Sequence, residues 1–219
     1  SAQPGTLIRY TTNGSIPTLT NGITYTQPIA INASRVIRAA GFASNQLPSR
    51  VQTHSYLYNL PNSRRLLPVV SLVTATNNLY GRTGIMEFNP RNTQNHGLAW
   101  ERPVSVEWIR PEDNGGFQVD AGIRVAGGDY IRGLYAYNTT ALPQSKYSFR
   151  LYFRGEYGEG RLRYPVFPGT TISEFDTLHL RAGMNDFLAK PVDESELVLR
   201  VRNTLAFHQY HNRLINVDA

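Results

Sequence analysis

Between Leu7 and Tyr58 the chain alternates short apolar runs with turn-formers. Leu7-Ile8-Arg9-Tyr10, Ile29-Ala30-Ile31 and Val36 to Ala40 alternate with Asn13-Gly14 and Asn21-Gly22 and are followed by Gly41 and Pro48. This spacing predicts the short strands of a β-sandwich. The run from Val51 to Tyr58 reads as a longer strand whose residues divide between two faces, one of them exposed. A second set of β-type runs begins with Leu67 to Val73 and continues through Trp100 to Ile109. After Asn114-Gly115-Gly116 come Phe117 to Val125 and then Lys146 to Arg154, which predicts the hairpins of an antiparallel sheet. The last periodic segment is helical. Asp193 reads as its N-cap, Glu194 and Glu196 favour the first turn, and Leu197, Val198, Val201 and Leu205 form an apolar stripe.

The predicted class is therefore mainly β: a β-sandwich, an antiparallel sheet with α+β character, and a C-terminal helix. We divide the 219 residues into a first module at 1–60, a linker at 61–66, a second unit at 67–186 and a tail at 187–219. Apolar residues make up 41% and charged ones 17%, which suits strands and tight turns. With no cysteine, disulfides and thiolate metal sites are excluded. No run approaches the roughly 18 apolar residues of a membrane span, and Ser1 to Pro4 lacks a signal pattern, so a soluble chain is expected. The net charge of +6 is concentrated in residues 1–65, where Arg9, Arg35, Arg38, Arg50, Arg64 and Arg65 meet no Asp or Glu. Such a segment attracts polyanions, but these arginines are scattered and have no interleaved aromatic motif, which disfavours nucleic acid as the partner.

In the first module, the order Ile8 to Thr18, Tyr25 to Pro28, Val36 to Gly41 and Thr53 to Tyr56 resembles the chitobiase/β-hexosaminidase C-terminal module. The resemblance covers residues 5–58 and implies a non-catalytic immunoglobulin-like appendage of secreted carbohydrate-active and cell-surface proteins. The second unit resembles the amino-terminal part of the spore coat protein H (CotH) kinase family. Its blocks are LPVVSLVT, WERPVSVEW, FQVDAGIRVAGG, KYSFRLYFRGEYGEGRLRYPVF and FDTLHLRAGMND, in the family's order. From Asn185 the text NDFLAKPVDESE resembles the last strand and helix of a response-regulator receiver domain, with no acidic pocket upstream to complete one.

The CotH resemblance gives the second unit its candidate chemistry. Lys146, Gly127, Gly128 and Arg150 are the implied ATP phosphate contacts, and strand alternation sets Ser148, Arg150, Tyr152 and Arg154 on the same face as Lys146. The family's GGxSR passage is altered here: Asp129-Tyr130-Ile131-Arg132 and a Tyr- and Thr-rich stretch follow the glycines. The family's catalytic and metal-holding aspartates lie well beyond the RAGMND block, and only 33 residues follow Asp186. No catalytic residue is assigned, and no cofactor is required unless the kinase reading holds, in which case ATP and Mg²⁺ are implied. The overlap of LRAGMND with the receiver-like text suggests a truncated or recombined chain.

His208 and His211 share a helical spacing of three, yet no carboxylate pattern joins them into a metal site. No hydrolase constellation stands out. The sequence thus predicts a non-catalytic structural or binding part of a secreted or cell-surface protein of bacterial type. Its expected partner is an extracellular glycan or a surface protein. Two alternatives are an atypical ATP-dependent protein kinase and a carbohydrate-binding accessory that stacks Tyr10, Tyr25, Tyr56 or Tyr58 on sugar rings.

Overall fold

A computed structural model describes residues 4–65, 67–87, 90–113, 115–126, 147–167 and 170–181. The chain divides into two compact units at Ala182, and all the described residues belong to the first. Lys146, Gly127, Gly128, the predicted tail helix, His208 and His211 lie outside the described residues. The described fold is mainly β. It has two larger antiparallel sheets, a two-stranded ribbon and only short helical turns. No helix among the described residues is long and apolar enough to cross a membrane.

The first sheet contains β1 (Leu7–Thr11), β2 (Ile23–Thr24), β3 (Arg35–Phe42) and β4 (Gln52–Tyr56), in the order β2-β1-β3-β4. Strand β3 pairs with both β1 and β4, so Arg38 stands beside Thr11 on one neighbour and Thr53 on the other. The Asn13-Gly14 turn that follows β1 is held by Asn13 Oδ1, which accepts from the Ser15 amide at 3.1 Å and the Ser15 hydroxyl at 2.7 Å. Gly14 carries the positive φ, at 78°, and a Cβ there would lie 2.8 Å from the Thr74 carbonyl oxygen. The turn therefore uses Asn13 for its side-chain acceptor and needs glycine at 14 for its backbone.

A short helix, α1 (Asn62–Arg65), lies in the segment predicted as linker, and β5 (Val69–Val73) opens the second sheet. With β6 (Arg102–Arg110), β7 (Gly115–Ala126), β8 (Ser148–Tyr152) and β11 (Thr177–Leu180) it forms a sheet in the order β11-β8-β7-β6-β5. The ribbon is β9 (Leu162–Arg163) with β10 (Glu174–Phe175). A second short helix, α2 (Thr76–Leu79), follows β5.

Alternation assigns the two faces of the five-stranded sheet opposite chemistry. Val104 and Val106 of β6, Ala121, Ile123 and Val125 of β7 and Leu151 of β8 point to one side, where Ile85, Phe153, Leu162 and Val166 complete a buried core. The opposite side carries Ser71, Ser105, Glu107, Gln118, Asp120, Arg124, Arg150 and Tyr152, as their registers require. One face supplies the hydrophobic driving force; the other is free to carry polar chemistry.

The four-stranded sheet meets this polar face at β5, β6 and β7. Glu107 accepts the Ser55 amide at 2.7 Å and lies 3.6 Å from His54 Nδ1, while Ser55 and Ser71 share a hydroxyl hydrogen bond of 2.7 Å. Arg38 is buried in the same seam. Its guanidinium donates to Thr53 Oγ1 at 3.2 Å and to the Gly14 carbonyl at 3.0 Å. Thr53 and Ser105 are fully buried there, so the seam is built from satisfied polar groups rather than from an apolar core.

Candidate functional site, a cationic sheet face

Strands β7, β8 and β11 extend the polar face, and register sets Arg124, Arg150 and His179 side by side across them. The next row brings Gly122, Tyr152 and Thr177 together. Arg150, the one implied phosphate contact within the described residues, is exposed on this face, as alternation predicts. Its guanidinium makes no hydrogen bond or ion pair among the described residues. Directly opposed like charges on neighbouring strands destabilise a sheet, so the Arg124–Arg150 pair is retained against a folding cost.

Tyr152 organises the arginines around it. The Arg124 guanidinium carbon lies 5.1 Å from the ring centroid and that of Arg154 lies 5.0 Å away, both within cation–π range. Arg124 Nη2 also donates to the Tyr152 hydroxyl. The Nε of Arg124 is buried without a hydrogen-bond partner among the described residues, a state that native structures rarely leave unexplained.

Arg154 is anchored from behind by Glu101, whose side chain is buried. Nε and Nη2 of Arg154 meet the two carboxylate oxygens at 3.1 and 3.2 Å, the bidentate geometry that fixes a guanidinium plane. Hydrogen bonding to Glu101, followed by its charge, raises the Arg154 pKa. The Tyr157 hydroxyl lies 3.4 Å from the same carboxylate, and burial followed by the Glu101 charge holds the phenol above its ordinary range. Gly122 makes room for this arrangement. A Cβ there would lie 2.5 Å from the Tyr157 ring and 3.0 Å from Glu101 Oε2.

Further along β7, Asp120 borders a cleft of about 330 Å³ shared with Arg50, Gln52 and Gln118. Burial raises its pKa, opposed by hydrogen bonding with Ser105 and by the charges of Arg38 and Arg50. Two of the first module's arginines thus have an intramolecular electrostatic partner. The carboxylate comes from the second sheet, beyond the reach of a residue-by-residue charge count.

All of the first sheet's strands lie before residue 57. Residues 1–56 match the family model described as Fn3 associated. The Fn3-associated match therefore spans β1 to β4 and covers the segment whose residue order resembles the chitobiase-type module. No curated protein and no solved structure matches the chain. The CotH and receiver resemblances rest on their sequence blocks alone.

Sequence blocks singled out Arg150 and placed Tyr152 and Arg154 on its face. They missed Arg124, Glu101, Tyr157 and Gly122, because these join the cluster through strand pairing and loop packing. The DAGIRV text held one signal: alternation from Asp120 sets Gly122 and Arg124 on the same face. Among the described residues no group of three or more His, Cys, Asp or Glu side chains could hold a metal.

Proposed function

We propose that this chain is a binding part of a secreted or cell-surface protein, with an Fn3-type module abutting a sheet whose cationic face holds a phosphate-bearing anion. The observation that carries the reading is the juxtaposition of Arg124 and Arg150 in register beside Tyr152, with Arg154 locked by Glu101. Two guanidiniums on adjacent strands and a third just past the end of β8 supply charge and several donors, the recognition chemistry suited to phosphate oxygens. The unpartnered Nε of Arg124 adds a donor that an anion or its bridging water would satisfy.

The CotH resemblance over residues 67–186 narrows the anion to the polyphosphate arm of a nucleotide such as ATP with Mg²⁺, and favours the kinase scaffold as the origin of the sheet. Arg150 supports this second reading because the face selected by the family blocks is also the face that gathers Arg124 and Arg154. Binding alone is proposed. Phosphoryl transfer requires metal-holding and base groups for which no residues are assigned.

Thermal unfolding with tripolyphosphate, Mg-ATP and sulfate separates the readings. A ligand at about 100 times its Kd stabilises by about 2.7 kcal/mol, a shift of several degrees for a chain of this size. Tripolyphosphate is expected to produce this shift in the wild type and to lose it in Arg150→Ala. Stabilisation by Mg-ATP well beyond that by tripolyphosphate would favour the nucleotide. No shift with either at millimolar concentration would reject the anion site.

A further inference from the structure

A separate groove of about 720 Å³ lies where the end of the first sheet meets β5, away from the Arg124–Arg150 row. Its wall includes Asn13, Arg35, Ser55, Tyr56, Ser71 and Thr74. Arg35 and Tyr56 are direct cross-strand partners on β3 and β4. Arg35 is half-buried, yet its guanidinium makes no ion pair, hydrogen bond or ring contact among the described residues. Tyr56 is 41% exposed, and Leu57 beside it is 40% exposed, so an apolar platform stands next to an unpaired cation.

The rest of the wall adds hydrogen-bonding groups. Asn13 uses only its carbonyl oxygen, on Ser15, leaving its amide NH₂ without a partner among the described residues. Ser55 and Ser71 bond to one another, and Thr74 donates to the Pro103 carbonyl while accepting from Asn78. The Ser71 hydroxyl therefore keeps a proton to donate. A flat ring platform, a free guanidinium and nearby amide and hydroxyl donors match a ring with hydroxyls on its rim and a carboxylate on one edge. The groove's volume of about 720 Å³ lies within the range of small-ligand pockets.

We infer that this groove binds an acidic saccharide, with a sugar ring stacked on Tyr56 and its carboxylate paired with Arg35. The guanidinium sets the preference for charged over neutral sugars, because pairing requires a planar acceptor that a neutral ring lacks. Stacking on Tyr56 supplies contact area at low conformational cost. This site is independent of the phosphate face, since none of its lining residues belongs to β6, β7, β8 or β11.

Isothermal titration of the full chain with an oligomer of a hexuronic acid tests the inference, with a neutral hexose oligomer of the same length alongside. The uronate oligomer is expected to bind, and the neutral oligomer at least tenfold more weakly. Arg35→Ala is expected to remove that preference; Tyr56→Ala should weaken both oligomers, while Tyr56→Phe keeps the ring and retains binding. Arg150→Ala is expected to leave uronate affinity unchanged. Uronate binding abolished by Arg150→Ala and spared by Arg35→Ala would put the ligand on the other face and overturn the proposal. So would equal affinity for the two oligomers, or no binding by a wild-type chain with an intact unfolding transition.

Discussion

Gly122 is the residue on which the cationic face is most finely balanced. The Tyr157 ring lies against its backbone, so a methyl group at 122 has to displace a ring that is also close to a buried carboxylate. Gly122→Ala is expected to cost about 1–3 kcal/mol and to weaken anion binding as well, because Glu101 would no longer hold Arg154 in its plane. Denaturant midpoints and the tripolyphosphate shift, measured on one sample, check both effects; unchanged stability would mean that Tyr157 yields freely. None of this was readable from the letter G at 122, which in isolation marks a β-bulge or a close approach as readily as anything else. Arg150, by contrast, was legible, since its outward direction follows from alternation in SFRLYF alone. The difference is physical: direction along a strand is local, whereas the space a side chain must share is set by residues distant in sequence.

At the scale of elements, β7 carries the molecule's three surroundings in sequence. Its inward residues build the core, Asp120 faces the seam with the first sheet, and Arg124 joins the cationic row. Burial outweighs the attraction of Arg38 and Arg50, so the Asp120 carboxyl holds its proton above the ordinary value of 3.8. A raised carboxyl pKa means that the folded state binds more protons than the unfolded one between 3.8 and the folded value. This group's contribution to stability is complete below pH 3.8 and is lost as pH rises through the folded pKa. Asp120→Asn should remove that part of the pH slope and raise the melting temperature at neutral pH relative to the wild type. Melting curves from pH 3.5 to 7 decide it; a variant with the wild-type slope would show that another group titrates there. The longer strands were legible because the apolar period of two is printed in the text, whereas Ile29-Ala30-Ile31 forms no strand and the two-residue β2 lies instead at Ile23–Thr24. The pairing of Arg124 with Arg150 was not legible, since register depends on segments that the sequence separates by more than twenty residues.

For the whole described unit, the decisive feature is that the surface joining the two sheets is polar. The positive charge of residues 1–65 could be counted in the sequence, and its scattered placement pointed away from nucleic acid; its attraction to Asp120 emerges only once the sheets are stacked. Glu107 is the centre of that stacking, because it accepts the Ser55 amide of β4 and sits beside His54. Truncation to Glu107→Ala would leave the Ser55 amide without its acceptor in a partly buried seam, a loss of about 1–3 kcal/mol. Trp100 and Trp108 both precede β7, so their fluorescence follows the second sheet, while hydrogen exchange at the amides of β3 and β4 follows the first. In the wild type these probes should report one denaturant midpoint, as expected of sheets coupled through satisfied hydrogen bonds. In Glu107→Ala the β4 amides should exchange faster than the fluorescence transition accounts for. If instead exchange at β4 remained tied to the fluorescence midpoint, Glu107 would not be the coupling group, and the Ser55–Ser71 hydrogen bond with the attraction of Asp120 for Arg38 and Arg50 would be sufficient to hold the first sheet in place.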